Sequence, residues 1–159
     1  MVEWATFERR RPDLASAGRQ LLYQYGVGLA FLATAAADGA PRVHPMCPVL
    51  HDRGLFALLV PSPKRDDLRR DGRFALHSFP CDDNEDAFYV AGAAHRETDA
   101  AVVDAVRARF LQERGMTEPP PGFAEHEAFA FDLHRCLVTR TTGHGDPAPR
   151  HAVWRPEDA

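Results

Sequence analysis

The fold of this chain is encoded most clearly in residues 32–78, which read LATAAADGAPRVHPMCPVLHDRGLFALLVPSPKRDDLRRDGRFALHS. This stretch alternates short apolar segments with residues that favour turns. Asp38-Gly39 is typical of a two-residue β-hairpin turn, because both turn positions favour positive φ, and Asp52-Arg53-Gly54 indicates the next turn. The stretch therefore predicts antiparallel strands joined by tight connections.

Extending the same reading to the whole chain predicts six strands. The predicted segments are residues 29–35, 42–50, 55–60, 74–79, 88–96 and 129–141. Pro45 and Pro48 lie within the second segment, and proline has no backbone N–H to donate. We therefore expect that segment at a sheet rim or at a bulge. A closed barrel would leave no free sheet edge.

Three helices are predicted around these strands, over residues 12–25, over residues 62–70 with Gly72 just past the end, and over residues 99–113. Ser62 is a good N-cap and Pro63 a good first helical residue. The fold class expected from these elements is α+β dominated by β, an antiparallel barrel with peripheral helices. Residues 1–143 form the predicted domain, and residues 144–159 form a C-terminal tail that Val153-Trp154 re-anchors.

Composition narrows the classes of protein to consider. A chain of 159 residues suits one domain, and a net charge of −4 gives no general attraction to nucleic acid. No apolar stretch approaches the ~20 residues that span a bilayer, and the first residues do not resemble a leader peptide. Cys47, Cys81 and Cys136 have no paired spacing, so we expect a reduced cytoplasmic protein with no zinc site.

The order of these segments resembles the pyridoxamine-phosphate-oxidase-like family of split-barrel flavoproteins. The resemblance is carried by Pro41-Arg42-Val43-His44-Pro45, by Ser62-Pro63-Lys64, by Asp66-Asp67-Leu68-Arg69-Arg70-Asp71 and by Phe74-Ala75-Leu76-His77-Ser78. It implies a six-stranded antiparallel split barrel that binds FMN. It also implies a homodimer whose cofactor site lies at the subunit interface, and a small-molecule substrate.

The resemblance also implies which residues bind the cofactor. Arg42 would hold the phosphate, the four residues after it would follow the flavin ring, and Ser62 and Lys64 would complete the phosphate site. The full predicted set is Arg42, Val43, His44, Pro45, Met46, Leu58, Leu59, Ser62 and Lys64. Physical chemistry agrees, because a helix N-terminus offers unpaired N–H groups and an arginine offers a fork that matches a phosphate.

Three functions remain open at this point. The first is an FMN-dependent oxidoreductase, the second a reductase that uses the deazaflavin F420, and the third a non-catalytic protein that binds or senses flavin or heme. Leu58-Leu59 stands where authentic pyridoxamine phosphate oxidases carry polar cofactor contacts, which argues against oxidation of vitamin B6. No residue is identified as catalytic. His44, His77 and His95 share no metal-ligand spacing, and Gly26-Val27-Gly28 lacks the third glycine of a dinucleotide fingerprint.

Overall fold

The computed structural model describes residues 1–157. Within them the helices are α1 (Trp4–Arg10), α2 (Pro12–Leu22), α3 (Pro63–Arg70) and α4 (Ala100–Glu113), with a short 3-10 helix at Phe123–Glu125. The strands are β1 (Ala30–Ala35), β2 (Pro41–Met46), β3 (Pro48–His51), β4 (Gly54–Leu59), β5 (Arg73–Ser78), β6 (Ala87–Arg96), β7 (Glu127–Arg140) and β8 (Arg150–Trp154).

All the strands belong to one antiparallel sheet. Its order is β2-β1-β5-β6-β7-β4-β3, and β8 pairs with β7 beside this path. The two end strands, β2 and β3, are consecutive in the chain and are separated only by Cys47. Because a single residue spans only about 3.5 Å, the two ends of the sheet must come close together. The sheet therefore curls into a half-barrel that stays split between β2 and β3, which confirms the predicted antiparallel β architecture.

The prediction of six strands is wrong, because the described residues form eight. The predicted segment 42–50 is interrupted at Cys47, and Pro48 begins a separate strand that pairs with β4. The eighth strand, Arg150–Trp154, lies in the region assigned to the tail. It pairs with β7 and leaves Trp154 only 1% exposed in the core. The end of that tail, residues 158–159, lies outside the described residues.

Two local predictions also need correction. The hairpin between β1 and β2 has three loop residues, since Ala36 N donates to Ala40 O at 2.8 Å and Gly39 N donates to Ala36 O at 2.9 Å. Only Gly39 has a positive φ, of 87°, so Asp38 does not share its conformation. The predicted helix 12–25 ends at Leu22 and is preceded by α1, whose Trp4 and Phe7 are buried.

The sheet has apolar side chains on both of its faces. Its inner face forms the main core with α1, α2 and Leu68 of α3. Part of its outer face packs under α4 and the 3-10 helix. We call this part the covered face, and it consists of Val49, Phe56, Leu58 and Ala128, packed against Val102, Val106 and Phe123.

The other part of the outer face has no helix over it among residues 1–157. We call it the open face, and by strand register it comprises Pro41, Val43, Pro45, Phe31, Ala33, Ala35, Ala75, His77, Tyr89, Ala91 and Ala93. None of these side chains is acidic, and Arg73 lies at the margin. Val43 is 62% exposed. An antiparallel sheet usually carries polar residues on an uncovered face, so this surface is unusual.

Candidate cofactor site

Strand β2 presents a backbone edge that no other strand of the described chain pairs with. The bond from Ala36 N to Ala40 O sets which residues of the hairpin exchange hydrogen bonds, and the register continues through Thr34 opposite Arg42. Since antiparallel pairing alternates, Pro41, Val43 and Pro45 direct their backbone groups to the free edge. The two prolines have no N–H, so Val43 supplies the one backbone donor on this edge of β2.

The side chains of β2 divide between the two faces of the sheet. Met46 is 5% exposed and points inward with Arg42 and His44, whereas Val43 and Pro45 point outward. Successive strand side chains always alternate in this way, so the four predicted ring contacts cannot meet one face of a ring together. Nε2 of His44 is shielded from solvent and has no hydrogen-bond partner among the described residues. A polar atom left in this state is consistent with a ligand near β2.

A buried carboxylate fixes Arg42 against helix α3. Asp67 is 4% exposed, and its Oδ2 accepts bonds from Thr34 Oγ1 at 2.8 Å and from Arg42 Nε at 2.9 Å. Its Oδ1 accepts a bond from Arg70 at 3.2 Å. Burial alone would raise the pKa of Asp67, but the bonds from Thr34, Arg42 and Arg70 outweigh it and hold that pKa below its usual value.

The two arginines on Asp67 differ in what they leave available. Arg70 uses one terminal nitrogen on Asp67 and the other on the carbonyl of Ala35. Arg42 uses only Nε, and its two terminal nitrogens bond to nothing among the described residues. Its side chain is 36% exposed. Arg42 is therefore fixed in position by Asp67 and keeps two terminal N–H groups free, an arrangement that suits a phosphate.

Lys64 bridges α3 to the free edge of β2. Its Nζ donates to the carbonyl oxygen of Pro45 at 2.9 Å, and it has no carboxylate partner within residues 1–157. Burial lowers the pKa of the Lys64 ammonium, and the nearby Cys47 offsets this only in part. A half-buried ammonium without an anion would be stabilised by a bound one.

Ser62 occupies the N-cap position of α3, as predicted, but its hydroxyl does not cap the helix. Oγ donates to the carbonyl of Val60 at 2.9 Å, and no side chain accepts a bond from the first turn. Pro63 has no N–H and Asp66 N donates to Ser62 O at 3.1 Å, so the backbone N–H groups of Lys64 and Arg65 are left for another acceptor. Together with Arg42 and Lys64 they form the donor set that a phosphate monoester requires, so the residues present fit the phosphate of a flavin nucleotide.

The remaining predicted contacts lie elsewhere. Leu58 is 8% exposed and belongs to the covered face, while Leu59 is 3% exposed and belongs to the main core. Consecutive strand residues point to opposite faces, so these two side chains are separated by the sheet. The structure brings neither to the Arg42–Lys64 cluster, and their part in binding stays a prediction.

Sequence reasoning missed Thr34, Asp67 and Arg70. Asp67 and Arg70 had a weak signal, since residues three apart on a helix meet on one face. Thr34 had none, because it lies 33 residues from Asp67 along the chain.

Among residues 1–157, no three His, Cys, Asp or Glu side chains are grouped to hold a metal ion. No helix of the described chain has the length and apolar character needed to cross a membrane.

No protein-family model and no curated protein matches the sequence. Solved structures do match. A heme-binding protein from Mycobacterium smegmatis aligns with a TM-score of 0.63 over 89% of this chain and 58% of its own length, at 16% identity. HutZ, the heme storage protein of Vibrio cholerae, aligns with a TM-score of 0.56 over 91% of this chain and 92% of its own length, at 13% identity.

A third match comes from Clostridium acetobutylicum. It is a protein of the pyridoxinephosphate oxidase family related to general stress protein 26 of B. subtilis, and it gives a TM-score of 0.62 over 93% of this chain and 97% of its own, at 13% identity. Identities this low establish the fold and leave the ligand to be argued from the site. The chain therefore has the split-barrel fold of the pyridoxamine-phosphate-oxidase-like proteins.

Proposed function

We propose that this protein binds FMN, with the phosphate held between β2 and α3, and that it is an oxidoreductase acting on a small molecule. The observation that carries the proposal is that Arg42 and Lys64 each join β2 to α3, with donors to spare, and that the first turn of α3 has no side-chain cap. Each component alone is a common structural feature. Their convergence on one place, with two cations that lack an anion for their outer donors, supports a phosphate.

The ring of the cofactor would lie along the free edge of β2. Val43 offers one backbone N–H there, flanked by carbonyl groups, which suits the polar edge of an isoalloxazine. Bound FMN would supply the hydride chemistry, while the protein orients the ring and excludes water. A deazaflavin would satisfy the same phosphate site, and titration with each cofactor separates the two.

Free Cys47, Cys81 and Cys136 suit the reducing cytoplasm, where we place the protein.

The open face supports a homodimer with the cofactor at the subunit interface. A contiguous uncovered apolar surface on a sheet marks an interaction site. It borders the free edge of β2, so a second copy packed there would also enclose the ring. The same contact would bury Val43, which is 62% exposed in the single chain.

Lys64→Ala tests the phosphate site most cleanly, since Lys64 has no buried acid that would be left unpaired. A charged hydrogen bond contributes roughly 1.5–3 kcal/mol, so FMN binding should weaken tenfold to a hundredfold. Riboflavin has no phosphate and should bind equally well to both proteins. Arg69→Ala is the matched control, because Arg69 lies on the same helix but pairs with Glu127. Equal losses of FMN and riboflavin affinity, or no loss of either, would refute the phosphate site.

Heme is the second candidate, and the observation that favours it is His77. Its Nδ1 lies 2.7 Å from the carbonyl oxygen of Ser78, so Nδ1 carries the proton and Nε2 is left with its lone pair. His77 projects from the open face between Phe31 and Tyr89 in the cross-strand register. An imidazole in this state among apolar side chains could ligate heme iron.

A heme titration of the apoprotein tests this candidate by absorption. If His77 is the ligand, His77→Gln should abolish the Soret shift that marks histidine-bound heme, while the control His95→Gln retains it. His95 is also exposed but lies 3.7 Å from Asp132. A Soret band unchanged by His77→Gln would exclude His77 as the ligand.

A further inference from the structure

Arg135 lies at the margin of the open face, outside the cofactor cluster. It is opposite Ala91 in the pairing of β6 with β7, and its neighbour Cys136 is fully buried on the inner face. Arg135 therefore points outward, in the same cross-strand row as Ala91, Ala75 and Ala33. The adjacent row contains Tyr89 and Leu137, so the guanidinium borders an apolar surface.

Arg135 has no partner within residues 1–157. It makes no hydrogen bond and no ion pair there, and its Nε is shielded from solvent without an acceptor. Asp132, the acid three residues earlier on β7, faces His95 instead. Arg73, at the margin of the open face, is by contrast paired, since its guanidinium donates two hydrogen bonds to Asp71 at 2.6 and 2.7 Å. A shielded guanidinium nitrogen without an acceptor is unfavourable, so Arg135 would be stabilised by an acceptor that the described chain does not supply.

We propose that Arg135 anchors a small amphipathic anion, a carboxylate, sulfonate or phosphate carried on an apolar ring that rests against Tyr89 and Leu137 at the margin of the open face. The guanidinium supplies a planar fork for the anionic group, and the neighbouring side chains supply apolar contact for the ring. The site is separate from the FMN phosphate site, since three strands lie between β2 and β7 in the sheet. It does not depend on FMN being the cofactor.

Two fluorescent probes that differ by one charged group test the proposal. Anilinonaphthalene sulfonate carries an anion, whereas phenylnaphthylamine is the same ring system without it. Arg135→Gln should weaken binding of the sulfonate at least tenfold and leave binding of the neutral probe unchanged. Arg73→Gln is the control, and it should affect neither probe because Arg73 is already paired.

Other outcomes overturn the proposal. Equal losses for both probes would mean that Arg135→Gln alters the apolar surface rather than an anion contact. No loss for either would mean that Arg135 binds no anion at this surface. A rise in the dimer dissociation constant without a change in probe binding would assign the guanidinium to an acid of a second copy. The ratio of FMN to riboflavin affinity, measured on the same variant, should stay constant, which keeps this test distinct from that of the cofactor site.

Discussion

The covered face and the open face belong to one sheet and are similarly apolar, yet within residues 1–157 only the covered face has a helix over it. Phe56 on the covered face is 2% exposed beneath α4, whereas Val43 on the open face is 62% exposed. Burial of apolar surface stabilises a fold by roughly 25 cal/mol per Å². The covered face takes this stabilisation from its own chain. The open face can take it only from another molecule, which is why we assign it to a second copy.

Stability should be most sensitive to substitution on the covered face. Phe56→Ala should lower the free energy of unfolding by about 3–5 kcal/mol, because it leaves a cavity between β4 and α4. Urea denaturation followed by circular dichroism measures it. Val43→Ala on the open face is the comparison and should change the value by less than about 0.5 kcal/mol. Similar losses for the two variants would show that the two faces do not differ in this way.

Substitutions on the open face should instead change how tightly two copies associate. Val43→Asp should leave each chain folded but raise the dimer dissociation constant roughly a hundredfold, because it places an unpaired charge in an apolar contact. Sedimentation equilibrium over a range of concentrations measures this constant. Val153→Asp, at a residue 44% exposed on β8, should leave it unchanged. Wild-type protein that sediments as a monomer at all concentrations would contradict the assignment of the open face.

Asp67 should make stability depend on pH at the junction of β2 and α3. Its pKa is lowered in the folded chain, so its contribution is complete above the unfolded value of about 3.9 and is lost as pH falls through the folded value. Asp67→Asn should cost about 2 kcal/mol at pH 7, and the difference from wild type should shrink below pH ~4.

Urea unfolding at a series of pH values measures this dependence. Asp66→Asn is the control, since Asp66 is 65% exposed on the same helix and should differ little from wild type throughout. A difference between wild type and Asp67→Asn that persists unchanged to pH 3 would rule out the ionised carboxylate as its cause.

A milder change should follow loss of the cap on the helix that covers β3 and β4. Asp99 caps α4 by accepting bonds from Ala101 N at 2.9 Å and Val102 N at 3.4 Å. Asp99→Ala should cost about 1 kcal/mol and increase hydrogen exchange in the first turn of α4. Asp104→Ala, in the exposed middle of that helix, should change exchange much less. Faster exchange in α2 as well would indicate a global effect rather than loss of the cap.

Local signals explain which elements the sequence could predict. Pro63 after Ser62 and Gly72 after Arg70 bound α3 correctly, because capping and stop signals act over a few residues. The break at Cys47 and the pairing of β8 were missed. They depend on how a curled sheet closes and on contacts between side chains distant in sequence. The rings of Trp154 and Phe7, for example, pack with their centroids 4.9 Å apart.

The sequence predicts which cations belong to the candidate site but not the groups that they contact. Arg42 and Lys64 were expected to act as cations, and a motif suffices for that. Their actual partners, Asp67 and the carbonyl of Pro45, lie 25 and 19 residues away along the chain. No local pattern specifies such contacts. The alternation of β2 was knowable from its sequence, and it already separates Val43 from His44.

Titration of the apoprotein with FMN and with riboflavin, followed by flavin fluorescence, decides whether the phosphate site between β2 and α3 exists. The site predicts that FMN binds at least tenfold more tightly than riboflavin, since at least one charged hydrogen bond distinguishes them. The preference should fall towards unity in Lys64→Ala. Equal affinity of the wild-type protein for the two ligands, or binding of neither, would contradict the assignment of this site to a flavin phosphate.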